Sequence, residues 1–215
     1  MIKSKNIFLL IVSGLLVSRL FAQKKPALNP ETEDPALSRA YNIHLIPDGL
    51  ANYRSGQIPK TKLANFIRKY NIKQIIRFNG DGVDSRKRTS DPTTSIAEEK
   101  KICEENGCKF FQLSSHKGYK PGQGYTTSRD QVTEILKRGK TLIHCLHGAD
   151  RTGGMVGGYL KMTGKMTDPA QLWKYTTQYN GWRRMIKSRR FFNSGYDKYA
   201  ETFITKDKIK ELEKL

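Results

Sequence analysis

The most reactive combination of residues is a short segment that begins with a cysteine and ends near an arginine. A buried strand is predicted just before it, at Thr141–His144, and a helix is predicted from about Arg151 to Thr163. A tight loop between a strand and a helix directs several backbone N–H groups into one concavity, where the helix dipole adds a positive field. The sequence therefore predicts an anion-binding loop. The segment reads His144-Cys145-Leu146-His147-Gly148-Ala149-Asp150-Arg151-Thr152-Gly153.

Cys145 and Arg151 would bring complementary chemistry to this loop. The same positive field favours the thiolate form of Cys145, which is the nucleophilic form. The planar guanidinium of Arg151 can bind two oxygens of one phosphate at once, which a lysine cannot do. We expect Thr152 to donate a hydrogen bond to the sulfur as it leaves and His144 to orient the loop. The N–H groups expected to form the cradle belong to Leu146, His147, Gly148, Ala149, Asp150 and Arg151.

The pattern His-Cys-x5-Arg-Thr-Gly resembles the signature of the cysteine-based protein tyrosine and dual-specificity phosphatases. Residues 52–57, which read NYRSGQ, also resemble an early motif of small bacterial members. The resemblance covers about residues 41–163 and implies that Cys145 attacks phosphorus to form a phosphocysteine, which water then hydrolyses. It implies no metal and no other cofactor. The matching residues are His144, Cys145, Gly148, Arg151, Thr152 and Gly153.

The residue that would protonate the leaving oxygen is left open by the sequence. The resemblance places an Asp on a separate loop, roughly thirty residues before the nucleophile, but residues 114–124 contain no Asp or Glu. Asp150 is preferred, because similar Asp-Arg-Thr loops occur in myotubularin-like lipid phosphatases and some secreted bacterial phosphatases. Three other candidates remain, which are Asp81, Asp84 and His116.

Strands alternate with helices before the reactive loop. We expect an α/β fold with a central, mostly parallel sheet flanked by helices, and a phosphatase-like phosphate-binding loop between a strand and a helix. The predicted strands are Asn42–Leu45, Asn52–Ser55, Gln74–Phe78, Lys109–Leu113 and Thr141–His144. The predicted helices are Lys60–Tyr70, Ser95–Asn106, Thr127–Arg138, about Arg151–Thr163, and one that starts at Asp168-Pro169.

The first forty residues are predicted to lie outside this domain. Residues 1–22 combine two early lysines with an apolar run at residues 7–17, which is the plan of an export signal. That run is shorter than the ~20 residues of a membrane span, so we expect an exported chain, periplasmic or secreted, with no membrane span in its mature part. Residues 23–40 contain three prolines and are interpreted as an extended linker. The predicted catalytic domain is residues 41–215.

The charge suits anionic partners. Lys and Arg number 39 against 20 acidic residues among the 215, which leaves a formal charge of +19. A basic run in residues 181–190 is either a solvated helical face or a docking surface for acidic substrates. Its charged residues are Arg183, Arg184, Lys187, Arg189 and Arg190.

Several partners and activities are compatible with these observations. The expected substrate is a phosphorylated protein or a small phosphate ester, and inositol phosphates or phosphoinositides are the alternative. A rhodanese-like sulfurtransferase is disfavoured by the Arg-Thr-Gly ending of the loop, and no recognised module supports nucleic-acid binding. A non-catalytic polyanion-binding protein remains possible. The sequence leaves open whether Cys103 and Cys108 form a disulfide.

Overall fold

A computed structural model describes residues 26–81, 94–113 and 124–177, and these residues form five strands and seven helices. The strands are β1 His44–Leu45, β2 Tyr53–Ser55, β3 Gln74–Arg77, β4 Lys109–Gln112 and β5 Thr141–His144. The helices are α1 Pro30–Glu33, α2 Pro35–Tyr41, α3 Lys60–Lys69, α4 Ile96–Glu105, α5 Gly124–Lys137, α6 Asp150–Met162 and α7 Pro169–Thr177.

The strands form one sheet in the order β1-β2-β5-β3-β4. Strand β1 runs antiparallel to β2, and the other pairs are parallel. This confirms the predicted α/β fold with a mostly parallel sheet. Strand β5 is central, and His144 at its end is paired with Ser55 of β2 and with Arg77 of β3. The strand that precedes the reactive loop is therefore held on both sides.

The two faces of the sheet carry separate hydrophobic clusters. Because neighbouring residues of a strand point to opposite faces, Ile75 and Leu142 contribute to one cluster and Ile76 and Ile143 to the other. Helices α3 and α4 contribute to the first cluster, and α5, α6 and α7 to the second. Strands covered on both faces read as continuous apolar runs, which explains why β3 and β5 were recognisable in the sequence.

Local sequence explains the two helices on the first face. Helix α3 buries Leu63, Phe66 and Ile67, whose spacing places them on one side of a helix. Helix α4 begins with a capping box, in which the Ser95 side chain accepts from the Glu98 N–H and the Glu98 side chain accepts from the Ser95 N–H. These signals place both helices within two residues of their predicted bounds.

The extended conformation predicted for residues 23–40 is wrong over α1 and α2. Pro30 and Pro35 each lie in the first turn of a helix, where a missing N–H costs nothing. The segment also packs on the sheet, since the Tyr53 hydroxyl donates a hydrogen bond to Leu28 O at 3.0 Å. Prolines that suggested a linker therefore start helices instead. The domain boundary at residue 41 stays a prediction.

Two sequence predictions concern segments near the ends of the chain. Residues 1–22, the expected export signal, lie outside the described residues, and so does the basic run at residues 181–190. None of the described helices has both the length and the apolar character that crossing a membrane requires.

Candidate active site

The reactive loop lies at the carboxyl edge of the sheet. Residues 145–149 connect β5 to α6, as the sequence predicts. Strands β2 and β3 end beside it, because Ser55 and Arg77 are both paired with His144. In open parallel sheets ligands bind outside the carboxyl ends of the strands. The fold therefore places Cys145 where a substrate site is expected.

Three successive carbonyl groups of the loop accept hydrogen bonds from the chain segment that surrounds β1 and β2. The donors are one backbone N–H, one side-chain amide and one guanidinium. The three bonds run from Gln57 N to Leu146 O (3.2 Å), from Asn42 Nδ2 to His147 O (3.1 Å) and from Arg54 Nη2 to Gly148 O (2.9 Å).

These bonds determine the direction of the loop's N–H groups. No cis peptide bond occurs among the described residues, and in a trans peptide the C=O and N–H point in opposite directions. The N–H groups of His147, Gly148 and Ala149 therefore point away from the donors that hold the preceding carbonyls. Within the described chain, the N–H groups of Gly148 and Ala149 make no hydrogen bond. Convergent N–H groups of this kind form an anion-binding concavity.

Only glycine fits at position 148. Gly148 has a φ of +67°, which L side chains rarely adopt. A Cβ there would lie 2.5 Å from the Ser55 carbonyl oxygen and would overlap Gly56 N. The loop is thus packed directly against the end of β2, which allows the three carbonyl contacts.

Cys145 begins this loop, and Arg151 lies in the first turn of α6, which follows it. Cys145 is buried, with 3% of its surface exposed. Arg151 is partly buried, and its Nη1 donates to the carbonyl oxygen of Phe78, just after β3, at 3.0 Å. The buried Thr152 hydroxyl has no hydrogen-bond partner among the described residues, so it makes no bond to the sulfur in this structure.

A buried ionic network lies directly before the loop. The Nε2 of His144 lies 2.7 Å from Glu99 Oε1, and Glu99 Oε2 lies 2.7 Å from Nη1 of Arg77. Each of these side chains is at most 2% exposed. Burial acts to raise the pKa of Glu99. His144 and Arg77 outweigh this effect through their charges and hydrogen bonds, so the pKa of Glu99 is lowered. The network ties β5 and β3 to α4.

Arg54 is a second buried arginine beside the loop. Its guanidinium lies over the ring of Tyr175 at 5.4 Å from the ring centroid, in addition to its bond with Gly148 O. A Cβ on Gly153 would lie 3.2 Å from Arg54 Nη2, so α6 packs closely on this side chain. Arg54 therefore connects β2, the loop, α6 and α7.

Of the four candidate general acids, the structure describes the side-chain contacts of Asp81. Asp81 is on the surface, and its Oδ1 accepts from Ile96 N at 2.6 Å, at the first turn of α4. Asp150 is the first residue of α6 and is described only by its backbone. The predicted candidates Asp84 and His116 lie outside the described residues.

Cys103 and Cys108 lie far along the chain from the loop and are both buried as free thiols. A hydrogen bond with Cys108, together with burial, raises the pKa of the Cys103 thiol. No disulfide joins them in this structure. Among the described residues, no group of three or more His, Cys, Asp or Glu side chains is arranged to hold a metal ion.

Sequence reasoning did not assign roles to Asn42, Arg54, Arg77 or Glu99. A signal was present for two of them, because Arg54 and Arg77 lie within strands whose other residues are buried. Charged residues in a buried strand are rarely left unpaired. Two of their partners could not have been identified, since Gly148 lies 94 residues from Arg54 and Glu99 lies 22 residues from Arg77.

Comparisons with known proteins give structural likenesses only. No protein-family model and no curated protein matches the sequence. The PP-IP phosphatase SIW14 from S. cerevisiae matches 64% of this chain and 75% of its own, at 15% identity and a TM-score of 0.49. P. aeruginosa TpbA matches 73% of this chain and 86% of its own, at 15% identity and a TM-score of 0.48. PTPMT1, solved in complex with PI(5)P, matches 63% and 81%, at 15% identity and a TM-score of 0.45.

Proposed function

We propose that this protein is a cysteine-dependent phosphatase that hydrolyses phosphate monoesters, with phosphotyrosine or another phosphoprotein ester as substrate. The observation that carries the proposal is the loop between β5 and α6. Its carbonyls at residues 146–148 are bound by outside donors, so the N–H groups of residues 147–149 face the opposite side. A phosphate held there would meet hydrogen-bond donors at the loop that Cys145 begins.

The proposed reaction has two steps. The sulfur of Cys145 attacks phosphorus, the S–P bond forms, and the bond from phosphorus to the ester oxygen breaks. Water then attacks phosphorus, the S–P bond breaks, and inorganic phosphate and the thiolate are released. Arg151 binds the phosphate oxygens in both steps, because a guanidinium has several N–H donors and, among the described residues, Arg151 uses only Nη1, which donates to Phe78 O. The Thr152 hydroxyl donates to the departing sulfur.

Hydrolysis of p-nitrophenyl phosphate without added metal tests the activity. Cys145→Ser should abolish turnover, and Arg151→Lys should weaken it strongly because a lysine cannot form the bidentate contact. Cys108→Ala is the matched control, since Cys108 is buried in the cluster on the other face of the sheet. Acid-quenched enzyme analysed by mass spectrometry should carry phosphate on Cys145. Full activity in Cys145→Ser would refute the proposal.

Asp150 is the proposed general acid, supported by its place at the start of α6 next to Arg151. Asp150→Asn should lower kcat more for phenyl phosphate than for p-nitrophenyl phosphate, because the poorer leaving group depends more on protonation. Glu105→Gln is the control on a surface carboxylate that is not a candidate acid. Equal losses on both substrates in Asp150→Asn would transfer the assignment to Asp81, Asp84 or His116.

A substrate panel separates the related functions. Phosphotyrosine peptide and inositol hexakisphosphate should be compared at equal concentration, since the Asp150-Arg151 pair and the formal charge of +19 favour an inositol phosphate as the alternative substrate. A protein that only binds polyanions would show strongly salt-dependent binding and release no phosphate.

Export is proposed separately, from the pattern of residues 1–22. The full chain expressed in a bacterium should be recovered outside the cytoplasm with a new N-terminus near residue 23. Reversing the two early lysines to glutamate should retain the protein in the cytoplasm. Recovery of uncleaved protein in the cytoplasm would contradict this interpretation.

A further inference from the structure

Two side chains outside the reactive loop each hold one of its carbonyl groups. Asn42 Nδ2 donates to His147 O at 3.1 Å, and Arg54 Nη2 donates to Gly148 O at 2.9 Å. Asn42 ends α2 and Arg54 lies in β2, so both approach the loop from the same segment of the chain. Neither residue belongs to the catalytic steps described above.

A loop peptide has two ways to face a bound anion. Either its N–H points to the anion and attracts it, or its carbonyl oxygen points to the anion and repels it. Rotation of one peptide plane converts the first arrangement into the second. The donors at Asn42 and Arg54 stabilise the first arrangement, because each binds the carbonyl that would otherwise be able to turn towards the anion.

We propose that Asn42 and Arg54 are positioning residues that set the polarity of the phosphate loop; this inference rests on the proposed function of that loop. Arg54 holds the peptide whose N–H belongs to Ala149, and Asn42 holds the peptide whose N–H belongs to Gly148. These are the two N–H groups that make no hydrogen bond within the described chain.

The surroundings of each residue keep its donor in place. Arg54 is fully buried against the ring of Tyr175. The orientation of the Asn42 amide is held from its other side, where Oδ1 lies 2.8 Å from Nε2 of His44. That ring in turn contacts the Glu31 carboxylate through Nδ1 at 2.8 Å. The amide nitrogen of Asn42 is thus directed at the loop.

Asn42 can be changed with little disturbance of the backbone. It has a φ of 53° and a ψ of 48°, a left-handed conformation that glycine adopts without strain. Asn42→Gly therefore removes the donor and keeps the turn. Asn71→Gly is the matched control, because Asn71 has a φ of 51° and follows α3, away from the loop.

The test measures binding of inorganic phosphate by calorimetry in the Cys145→Ser protein, so that it does not depend on turnover. Asn42→Gly should weaken binding by about two- to tenfold, and Asn71→Gly should leave it unchanged. Arg54→Met should weaken binding about tenfold or more, because the lost hydrogen bond is charge-assisted. Arg54→Lys, which keeps the charge but loses the fork, should bind phosphate with intermediate affinity.

A purely structural role would lower stability but leave the affinity of the folded molecules unchanged. Equal phosphate affinity in Asn42→Gly and Asn71→Gly would overturn the role of Asn42. A folded Arg54→Met protein that binds phosphate within about twofold of its parent would overturn the role of Arg54. If Arg54→Met does not fold, Arg54→Lys and Asn42→Gly still decide the inference. Absence of phosphate binding in the parent Cys145→Ser protein would instead refute the proposed function, and the inference with it.

Discussion

Replacement of Glu99 by glutamine should destabilise the protein more than any ordinary surface change. Glu99 is 1% exposed, and its carboxylate contacts Arg77 and His144 at 2.7 Å each. Removing one partner of a buried ion pair costs about 3–5 kcal/mol. Glutamine can retain one hydrogen bond, worth about 1 kcal/mol, so we expect a loss of about 2–4 kcal/mol in the free energy of unfolding.

Urea unfolding followed by circular dichroism measures this loss. With a urea slope of about 1–3 kcal/mol per molar, the unfolding midpoint should fall by about 0.7–4 M. Glu105→Gln is the matched control on the same helix, because Glu105 is exposed and lies 3.9 Å from Lys101. That variant should differ from the parent protein by at most about 0.5 kcal/mol. Equal midpoints for Glu99→Gln and Glu105→Gln would refute the reasoning.

The pH dependence of stability provides a second check on Glu99. Its pKa in the folded protein is lowered from the ordinary value of 4.5 by the charges and hydrogen bonds of its two partners, against the effect of burial. The unfolded chain therefore takes up this proton at higher pH than the folded protein does. The stabilisation is complete above about pH 5 and is lost as the pH falls through the folded pKa. The difference in the free energy of unfolding between the parent protein and Glu99→Gln should therefore become smaller as the pH falls below about 5.

Two further predictions concern glycine and cysteine positions. Gly148→Ala should abolish phosphate binding or folding, because the position has a φ of +67° and an added Cβ would overlap Ser55 and Gly56. Urea unfolding and phosphate calorimetry would measure these two losses. Gly107 has a φ of +63°, but an added Cβ would have no atom within 4 Å, so Gly107→Ala should lower the free energy of unfolding by only about 1–2 kcal/mol. An equal loss of stability at both glycines would contradict the role of packing at Gly148. Thiol titration in denaturant without reductant should count both Cys103 and Cys108 as free, and loss of two thiols would show a disulfide.

The strand and helix around the reactive loop were predictable because their signals are local. An apolar run followed by a cysteine and a glycine-containing turn predicted β5 at Thr141–His144, where the structure has it. The helix expected from about Arg151 begins one residue earlier, at Asp150. Hydrogen bonds within a helix connect residues four apart, so a short window contains most of what decides its limits.

The extended conformation predicted for residues 23–40 was wrong over α1 and α2, because composition does not distinguish two uses of proline. Proline breaks a helix in its interior but is favoured in the first turn. Pro30 and Pro35 each lie in the first turn of a helix. The segment also makes tertiary contacts, such as the ion pair of Asp34 with Lys69 at 2.7 Å. Those contacts join residues 35 positions apart, beyond the reach of a local pattern.

The amino-acid order alone predicted the strand–loop–helix setting that the structure has, together with Cys145 and Arg151 as the proposed nucleophile and its proposed partner. The folded chain added the groups that bind the carbonyls of this loop, because Asn42 and Arg54 donate hydrogen bonds to them across separations of 105 and 94 residues. Such pairings depend on the register in which β2 lies beside β5, and Arg54 is paired with Ile143 in that register. A shift of one residue would turn the Arg54 side chain to the opposite face of the sheet, away from the loop it holds.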